Sequence, residues 1–346
     1  MHAVTDLSEL GWTPGRAAQL PAGSEPARVS RVDRGRLSVL TADGESRVHP
    51  GAALYDGTGL SGPAVGDWIA VRGELAVAVL PRTSAFVRTV AGRTSAAQVV
   101  AANLDTVLVV DSLSGEARLR RVERYLAVAW SSGATPVVVL TKADLCEDVA
   151  AVVEQVREDA LGVDVLAVSS MTGEGLGSVR AVLGPGRTGA MVGPSGVGKS
   201  SLVNALSGDA IVETGGIRES DGRGRHTTTA RELHVLPGGG LLVDTPGMRE
   251  LALSDDEGID TAYADVAELA GGCRFRDCAH GGEPGCAVAA AVDDGALDPA
   301  RLAAWRKLQR EAQRQMLRVD ARARAEEHAR TRAFFRSLRD QPNRVR

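Results

Sequence analysis

The sequence predicts a multidomain chain in three parts. An all-β barrel occupies residues 1–100, an α/β domain residues 101–260, and a metal-binding and helical domain residues 261–346. Three observations predict this. Short strand-like runs separated by Gly and Asp turns fill residues 27–79. From about residue 103, apolar runs of strand length alternate with helix-period segments. Beyond residue 272, three of the four cysteines fall within fourteen residues, and an arginine-rich helical stretch follows them.

Composition narrows the function classes. A net charge of −4 and 44% apolar residues suit a soluble globular chain. The first ten residues contain Asp6 and Glu9 and no basic-then-apolar run, so no secretory leader is expected. No run of about 18 apolar residues occurs, so no membrane span is expected. A cytoplasmic protein follows, and there clustered cysteines read as a metal site, not as disulfides. Residues 301–346 carry 14 Lys/Arg against 5 Asp/Glu. A basic tail on an otherwise acidic body points to an anionic partner such as nucleic acid.

Residues 1–25, with Pro14, Gly15, Pro21 and Gly23, read as a flexible, loosely ordered lead-in. Strands follow at 29–32, 37–40, 46–48, 67–71 and 75–79. Their length and Gly/Asp turns fit a five-stranded OB-type barrel, a scaffold that often binds nucleic acid, although it shows no aromatic stacking platform. In the central part, apolar runs at 106–110, 136–140 and 163–168 read as buried parallel strands, with helices at 119–130 and 149–160 between them. Strands at 188–192, 232–236 and 240–243 complete a sheet covered on both faces.

The ends of these strands carry the chemistry. Gly193-Pro194-Ser195-Gly196-Val197-Gly198-Lys199-Ser200-Ser201 follows a strand, opens a helix and matches the P-loop pattern. Its glycines turn backbone N–H groups toward phosphate oxygens, Lys199 reaches the β- and γ-phosphates, and Ser200 ligates Mg²⁺. Lysine is rare here, with Lys142, Lys199 and Lys307 alone in the chain. Thr141-Lys142-Ala143-Asp144 is a variant of the guanine-reading N-K-x-D motif. Asp144 accepts from guanine N1–H and the 2-amino group together, and the Lys142 stem lies over the base. Backbone amides of the Ser169-Ser170-Met171-Thr172-Gly173 run, with Ser169 and Ser170 as the candidates, meet guanine O6. Asp244-Thr245-Pro246-Gly247 is a D-x-x-G motif: Asp244 holds Mg²⁺ through water, and the Gly247 N–H senses the γ-phosphate. Thr227 or Thr228, in Gly224-Arg225-His226-Thr227-Thr228-Thr229, supplies a further Mg²⁺ ligand. The ligand is therefore GTP or GDP with Mg²⁺.

Cys273-x4-Cys278-x-His280-x5-Cys286 is a Cys₃His tetrahedral set, and a single structural Zn²⁺ per chain is its natural occupant. Residues 298–338 read as helix, broken near Asp320. Arg306, Arg310, Arg314, Arg318 and Arg322 recur every fourth residue and form a phosphate-binding ridge. Leu302, Trp305, Leu308 and Ala312 form the neighbouring apolar stripe.

The motif order is unusual. The guanine motifs come first, and the P-loop, switch threonines and D-x-x-G follow, the reverse of an ordinary GTPase. With the barrel, the Gly193–Ser201 and Gly224–Thr229 motifs and the cysteine cluster, the chain resembles the circularly permuted GTPases of the RsgA/YjeQ family over nearly its whole length. That resemblance implies an OB-fold domain and GTP hydrolysis stimulated by the small (30S) ribosomal subunit and its rRNA, in late maturation of that subunit. A monomer is expected. The chain departs from the family in Thr141, where Asn is usual, and in a short glycine-rich turn at 236–240. Met248 follows D-x-x-G where many GTPases carry a water-orienting glutamine. His226 is the catalytic candidate within the chain, and the resemblance points to the same histidine. Two rivals are an RNA-binding assembly scaffold with vestigial nucleotide binding, opposed by Lys199, Ser200 and Asp244, and a P-loop ATPase or kinase, opposed by Asp144.

Overall fold

Alternating inward side chains build the predicted barrel. Val29, Leu37, Val39, Val48, Ile69 and Ala76 share one sealed core. The strands are β1 Glu25–Asp33, β2 Arg36–Thr41, β3 Gly44–Pro50, β4 Trp68–Arg72 and β5 Leu75–Val79. They close in the order β1-β2-β3-β5-β4-β1, with β3 and β5 parallel and the other pairs antiparallel. This computed structural model describes residues 6–55, 60–90, 96–114, 119–160, 162–208, 231–244 and 257–319.

The lead-in is not loose from Asp6 onward. Asp6 caps a short 3-10 turn over Leu7–Leu10 by accepting the Ser8 N–H at 2.9 Å, and Thr13 caps the short α1 Pro14–Ala17. Leu10 is fully buried, and Trp12 packs on Trp68 with ring centroids 4.7 Å apart. Gly and Pro there set tight turns, which resemble disorder when only composition is read.

An antiparallel hairpin, β6 Ala85–Val90 with β7 Ala96–Ala102, links the barrel to the central domain. The sequence reading does not include it: β7, Ala-Ala-Gln-Val-Val-Ala-Ala, is alanine-rich and carries weak periodicity, which leaves β6 without a visible partner. The central sheet holds β8 Thr106–Ser112, β9 Thr135–Thr141, β10 Asp164–Ala167, β11 Thr188–Val192, β12 Glu232–Val235 and β13 Leu241–Asp244. Its order is β10-β9-β8-β11-β13-β12, parallel except for β12. Helices α2 Leu119–Ser131, α3 Val149–Asp159, α4 Leu176–Val182 and α5 Lys199–Ser207 accompany it. Along β8, Val107 and Val109 enter one core, and Leu108 and Val110 enter the other. Both sheet faces are therefore covered, which is why these strands read as continuous apolar runs. Arg31 of β1 pairs with Glu232 of β12, so barrel and central strands form one hydrogen-bonded sheet.

Two buried arginines join the parts. Arg28 of β1 donates to Leu10 O at 2.7 Å, Asn103 O at 3.1 Å and Thr188 Oγ1 at 3.0 Å, and lies over the Trp68 ring at 5.3 Å. Burial pulls its pKa down to about 10, so it is still a cation at neutral pH. The C-terminal part comprises α6 Glu257–Ala262, α7 Ala264–Gly271, α8 Ala287–Asp293 and α9 Pro299–Val319. There Arg301 grips Asp265 at 2.7 and 2.8 Å and Glu123 of α2 at 2.7 Å, while the Tyr263 hydroxyl donates to Glu123 at 2.9 Å. Leu302, Leu308 and Ala312 bury the predicted apolar stripe of α9. The expected helix beyond Val319 lies outside the described residues. No helix among the described residues is long and apolar enough to cross a membrane.

Replacing Arg28 by methionine removes the guanidinium over Trp68 and strands three buried acceptors. Arg28→Met should lower stability by on the order of 3 kcal/mol, read as a fall in the urea midpoint. An unchanged midpoint would show that the joint does not depend on this cation.

Candidate nucleotide site and metal centre

Among the described residues, the glycine loop, the Thr141–Asp144 motif, the Ser169–Gly173 run and Asp244 lie along one edge of the central sheet, the carboxyl edge, because β8, β9, β10, β11 and β13 run parallel. Open α/β sheets present their ligand crevice along that edge. The glycine loop leaves β11 at Gly193, whose φ is 148° and where a Cβ would stand 2.1 Å from Val110 O. Only glycine fits so close to β8. Gly198, at φ 97°, caps the N-terminus of α5. The loop thus delivers backbone N–H groups to a helix N-terminus, an anion-binding arrangement. Pro194, Ser195 and Gly196 form its outer arc, and the Val197 side chain is buried beneath it. Lys199 Nζ donates to Gly193 O at 2.8 Å and Pro194 O at 2.6 Å, which holds the ammonium over the loop. Ser200 is half-buried at the first turn of α5, and Ser201 is exposed.

The base-reading motif is tied to this loop. Buried Thr141, at the end of β9, donates its hydroxyl to Val197 O, with Asp111 O at 3.2 Å as the alternative acceptor. A hydroxyl at this position thus bridges the two motifs where the usual Asn would place a carboxamide. Lys142 adopts a left-handed conformation, φ 62°, turning the chain into the short 3-10 segment Ala143–Leu145 that carries Asp144. Ser169 Oγ donates to Asp144 Oδ1 at 2.5 Å and accepts the Met171 and Thr172 N–H groups at 3.2 and 3.1 Å. Ser169 is fully buried, so this fan of bonds orients the exposed Asp144 carboxylate.

The expectation that several amides of the 169–173 run face a base is narrowed. Ser169 N donates to Glu174 O and Gly173 N to Ser169 O, each at 3.0 Å, while the Met171 and Thr172 amides serve Ser169 Oγ. Among the described residues, the Ser170 N–H is the amide of this run that keeps no internal partner. Asp244 ends β13, beside the glycine-loop strand. His226, Thr227, Thr228, Gly247 and Met248 lie outside the described residues.

Sequence reasoning missed a supporting pair. Asp111, near the end of β8 and itself buried, accepts from Arg121 Nη2 of α2 on both carboxylate oxygens, at 2.7 and 2.8 Å. An aspartate closing an apolar strand was the available signal. Glu123 and Arg301 left no local signal, because their partners lie 178 residues apart.

The four metal candidates converge. The ligand atoms of Cys273, Cys278, His280 and Cys286 all lie within 4.8 Å of one another. A tetrahedral zinc site requires S···S near about 3.8 Å and S···N near about 3.6 Å. Cys273 and Cys286 Sγ are 3.9 Å apart, and His280 Nδ1 stands 3.5 and 3.6 Å from them. The donor set therefore fits a metal ion. Glu283 accepts the Ala279 and Gly281 N–H groups at 3.2 and 2.6 Å and shapes the turn.

Arg306 is not part of an open ridge. It is half-buried and donates to the His280 carbonyl, which ties α9 to the metal loop. An i+4 count cannot see this, because the acceptor belongs to another element. Arg310 and Arg314 are exposed farther along α9, and the Arg318 side chain lies outside the described residues.

The RsgA GTPase family model matches residues 79–254. The Small ribosomal subunit biogenesis GTPase RsgA of Streptomyces coelicolor is 49% identical over 332 residues, covering 92% of this chain and 90% of that protein. The protein of the same name from Opitutus terrae is 44% identical over 337 residues, covering 91% and 92%. Among solved structures, YjeQ from Thermotoga maritima aligns with a TM-score of 0.63 at 24% identity, over 84% of this chain and 98% of that one. YloQ, described as a circularly permuted GTPase, aligns at 0.61 with 23% identity, over 85% and 96%. At these identities the two structures speak to fold.

Ser169→Ala removes the donor that orients Asp144. Affinity for a fluorescent guanine nucleotide should fall on the order of tenfold, with little change in the unfolding midpoint. Undiminished affinity would show that Asp144 needs no such support.

Proposed function

This chain belongs to the RsgA GTPase family, and we propose that it hydrolyses GTP on the small ribosomal subunit during late maturation of that subunit. One observation supports the base and phosphate assignments most: Thr141 of the guanine motif bonds the backbone of Val197 in the glycine loop. Base recognition and phosphate binding then share one rigid cleft. In this reading Asp144, backed by Ser169, reads the guanine edge, Lys142 covers the base, and the Ser170 amide meets O6. The loop from Gly193 to Gly198 with Lys199 and Ser201 cradles the phosphates. Ser200, Asp244 and a switch threonine, Thr227 or Thr228, serve Mg²⁺, and the Gly247 N–H senses the γ-phosphate. The metal would neutralise charge on the transferring phosphoryl group.

His226 orients the attacking water, because Met248 offers neither a useful donor nor an acceptor where many GTPases place glutamine. A slow free enzyme follows, with the ribosomal subunit as activator. Arg310, Arg314 and Arg318 supply the cationic face toward rRNA. One structural Zn²⁺ occupies Cys273, Cys278, His280 and Cys286; all four positions are protein ligands, which leaves no open site for catalysis. The protein works in the cytoplasm, as a monomer.

Purified small subunits should raise GTP turnover well above the chain alone or with large subunits, and added salt should weaken the association. His226→Ala should cut the stimulated rate while leaving GTP affinity nearly unchanged. Equal stimulation by both subunits would remove the small-subunit assignment.

Elemental analysis of protein purified without added metal should find one zinc per chain, lost in Cys278→Ser. Chelation should shift the fluorescence of Trp305, whose ring centroid lies 5.5 Å from that of His280, while nucleotide binding persists. Another metal, or none, would overturn the zinc assignment.

A further inference from the structure

We propose that the loop between the first two cysteines of the metal cluster is a base-stacking platform for single-stranded RNA, with Phe275 as the stacking face and Arg274 and Arg276 as the phosphate contacts. The proposal rests on the reading that the partner is ribosomal RNA, and adds to it a site outside the arginine ridge of α9.

Aromatic side chains are scarce in this chain, at 3% of residues. Phe86 is 1% exposed in the core, whereas Phe275 is 44% exposed. The Arg274 guanidinium carbon lies 5.5 Å from the Phe275 ring centroid. A cation thus lies over the ring of a residue that is still largely exposed to solvent. Arg274, Arg276 and Asp277 also face solvent. No other large apolar side chain is exposed on this loop, so a broad hydrophobic docking patch is missing there. An exposed aromatic ring with an exposed arginine before and after it in the chain fits a ligand that is flat and anionic at once, which describes a nucleotide of an unpaired strand.

The platform is held in advance. Cys273 and Cys278, both in the ligand set, bracket the loop. Phe275 O accepts the Cys278 N–H at 3.3 Å, and Arg274 N donates to Gly285 O at 3.0 Å. Gly285 sits at φ 78°, and a Cβ there would stand 3.0 Å from Arg274 Cβ, so the glycine lets the arginine stem lie flat. A ring fixed this way loses little conformational freedom on binding. Charge favours the same ligand. Glu283 is turned onto backbone amides, which leaves Asp277 as the loop's outward acid against two arginines. The bond from Arg306 to His280 sets α9 against the loop, and Arg310 and Arg314 continue the positive surface one and two turns farther on.

The test uses the full chain and a fluorescein-labelled eight-nucleotide oligo(A) RNA, with an abasic strand of equal length as control. Phe275→Ala should weaken oligo(A) binding on the order of tenfold, leave abasic binding unchanged, and leave the salt slope unchanged. Phe275→Trp should restore oligo(A) binding. Arg274→Gln with Arg276→Gln should flatten the salt slope by about 1.4, at ~0.7 per phosphate contact on a single strand. Metal content and unstimulated GTP turnover should match the parent in every variant. Equal loss of oligo(A) and abasic binding in Phe275→Ala, or no loss of either, would overturn the platform. So would a variant that loses subunit binding but keeps oligo(A), since Phe275 would then face a ribosomal protein. Subunit-stimulated turnover of the parent chain separates the two readings. Its absence removes the proposed function and leaves the oligonucleotide arms to decide the platform; its presence with unaltered oligo(A) binding in Phe275→Ala removes the platform alone.

Discussion

The close passage of Gly193 over the Val110 carbonyl is the constraint on which the site depends. β11 runs between β8 and β13, and the glycine loop leaves it where a side chain would collide with the neighbouring strand. The path of the loop is therefore dictated by the adjacent ladder, not by the segments that connect the strands. This explains how the motifs can occur in permuted order and still converge. Interstrand hydrogen bonds are indifferent to which strand comes first in the chain. Relocating the termini alters loop closure, whose free energy varies slowly with length.

Around this sheet, the flanking parts are fastened by buried cations of two kinds. Arg28 meets only neutral acceptors, contributed by the lead-in, the segment before β8 and the first residue of β11. Arg301 meets two carboxylates, one on α2 and one on α7. A buried charge is costly unless it is hydrogen-bonded, and the two terminal nitrogens of Arg28 meet acceptors while its Nε does not, so each arginine still demands a defined placement of the parts it joins. The backbone adds a third link. Arg31 of the barrel pairs with Glu232, and Glu232 pairs with Asp244 at the end of β13. Barrel orientation and the strand that presents Asp244 thus belong to one row of hydrogen bonds.

The C-terminal part solves a different problem. Its turn from Gly281 to Gly285 has almost no apolar surface to bury, and α7 and α8 are short. Metal ligation can supply the cross-link that a core of this size lacks. The cluster also sets the direction of α9, because Trp305 packs near His280 and Arg306 bonds its carbonyl. The loop that carries Phe275 and the helix that carries Arg310 are consequently joined through His280.

By itself, the sequence determined the barrel, the parallel sheet, the motifs at its strand ends and the Cys₃His set. These are local: the inward alternation at Val29 and Val39, the apolar run at Val107–Val110, the Gly193–Ser200 spacing and the cysteine spacing each express one element's own geometry. Tertiary structure alone decided what joins distant segments. Arg28 to Thr188, Arg301 to Glu123, and Arg306 to His280 follow no period, since each partner arrives from another element. The order of the lead-in was hidden for the same reason: Leu10 has nothing to bury against until the barrel and the central domain meet. So was the withdrawal of Arg306 from the ridge, because helical spacing gives the direction of a side chain but not what it touches.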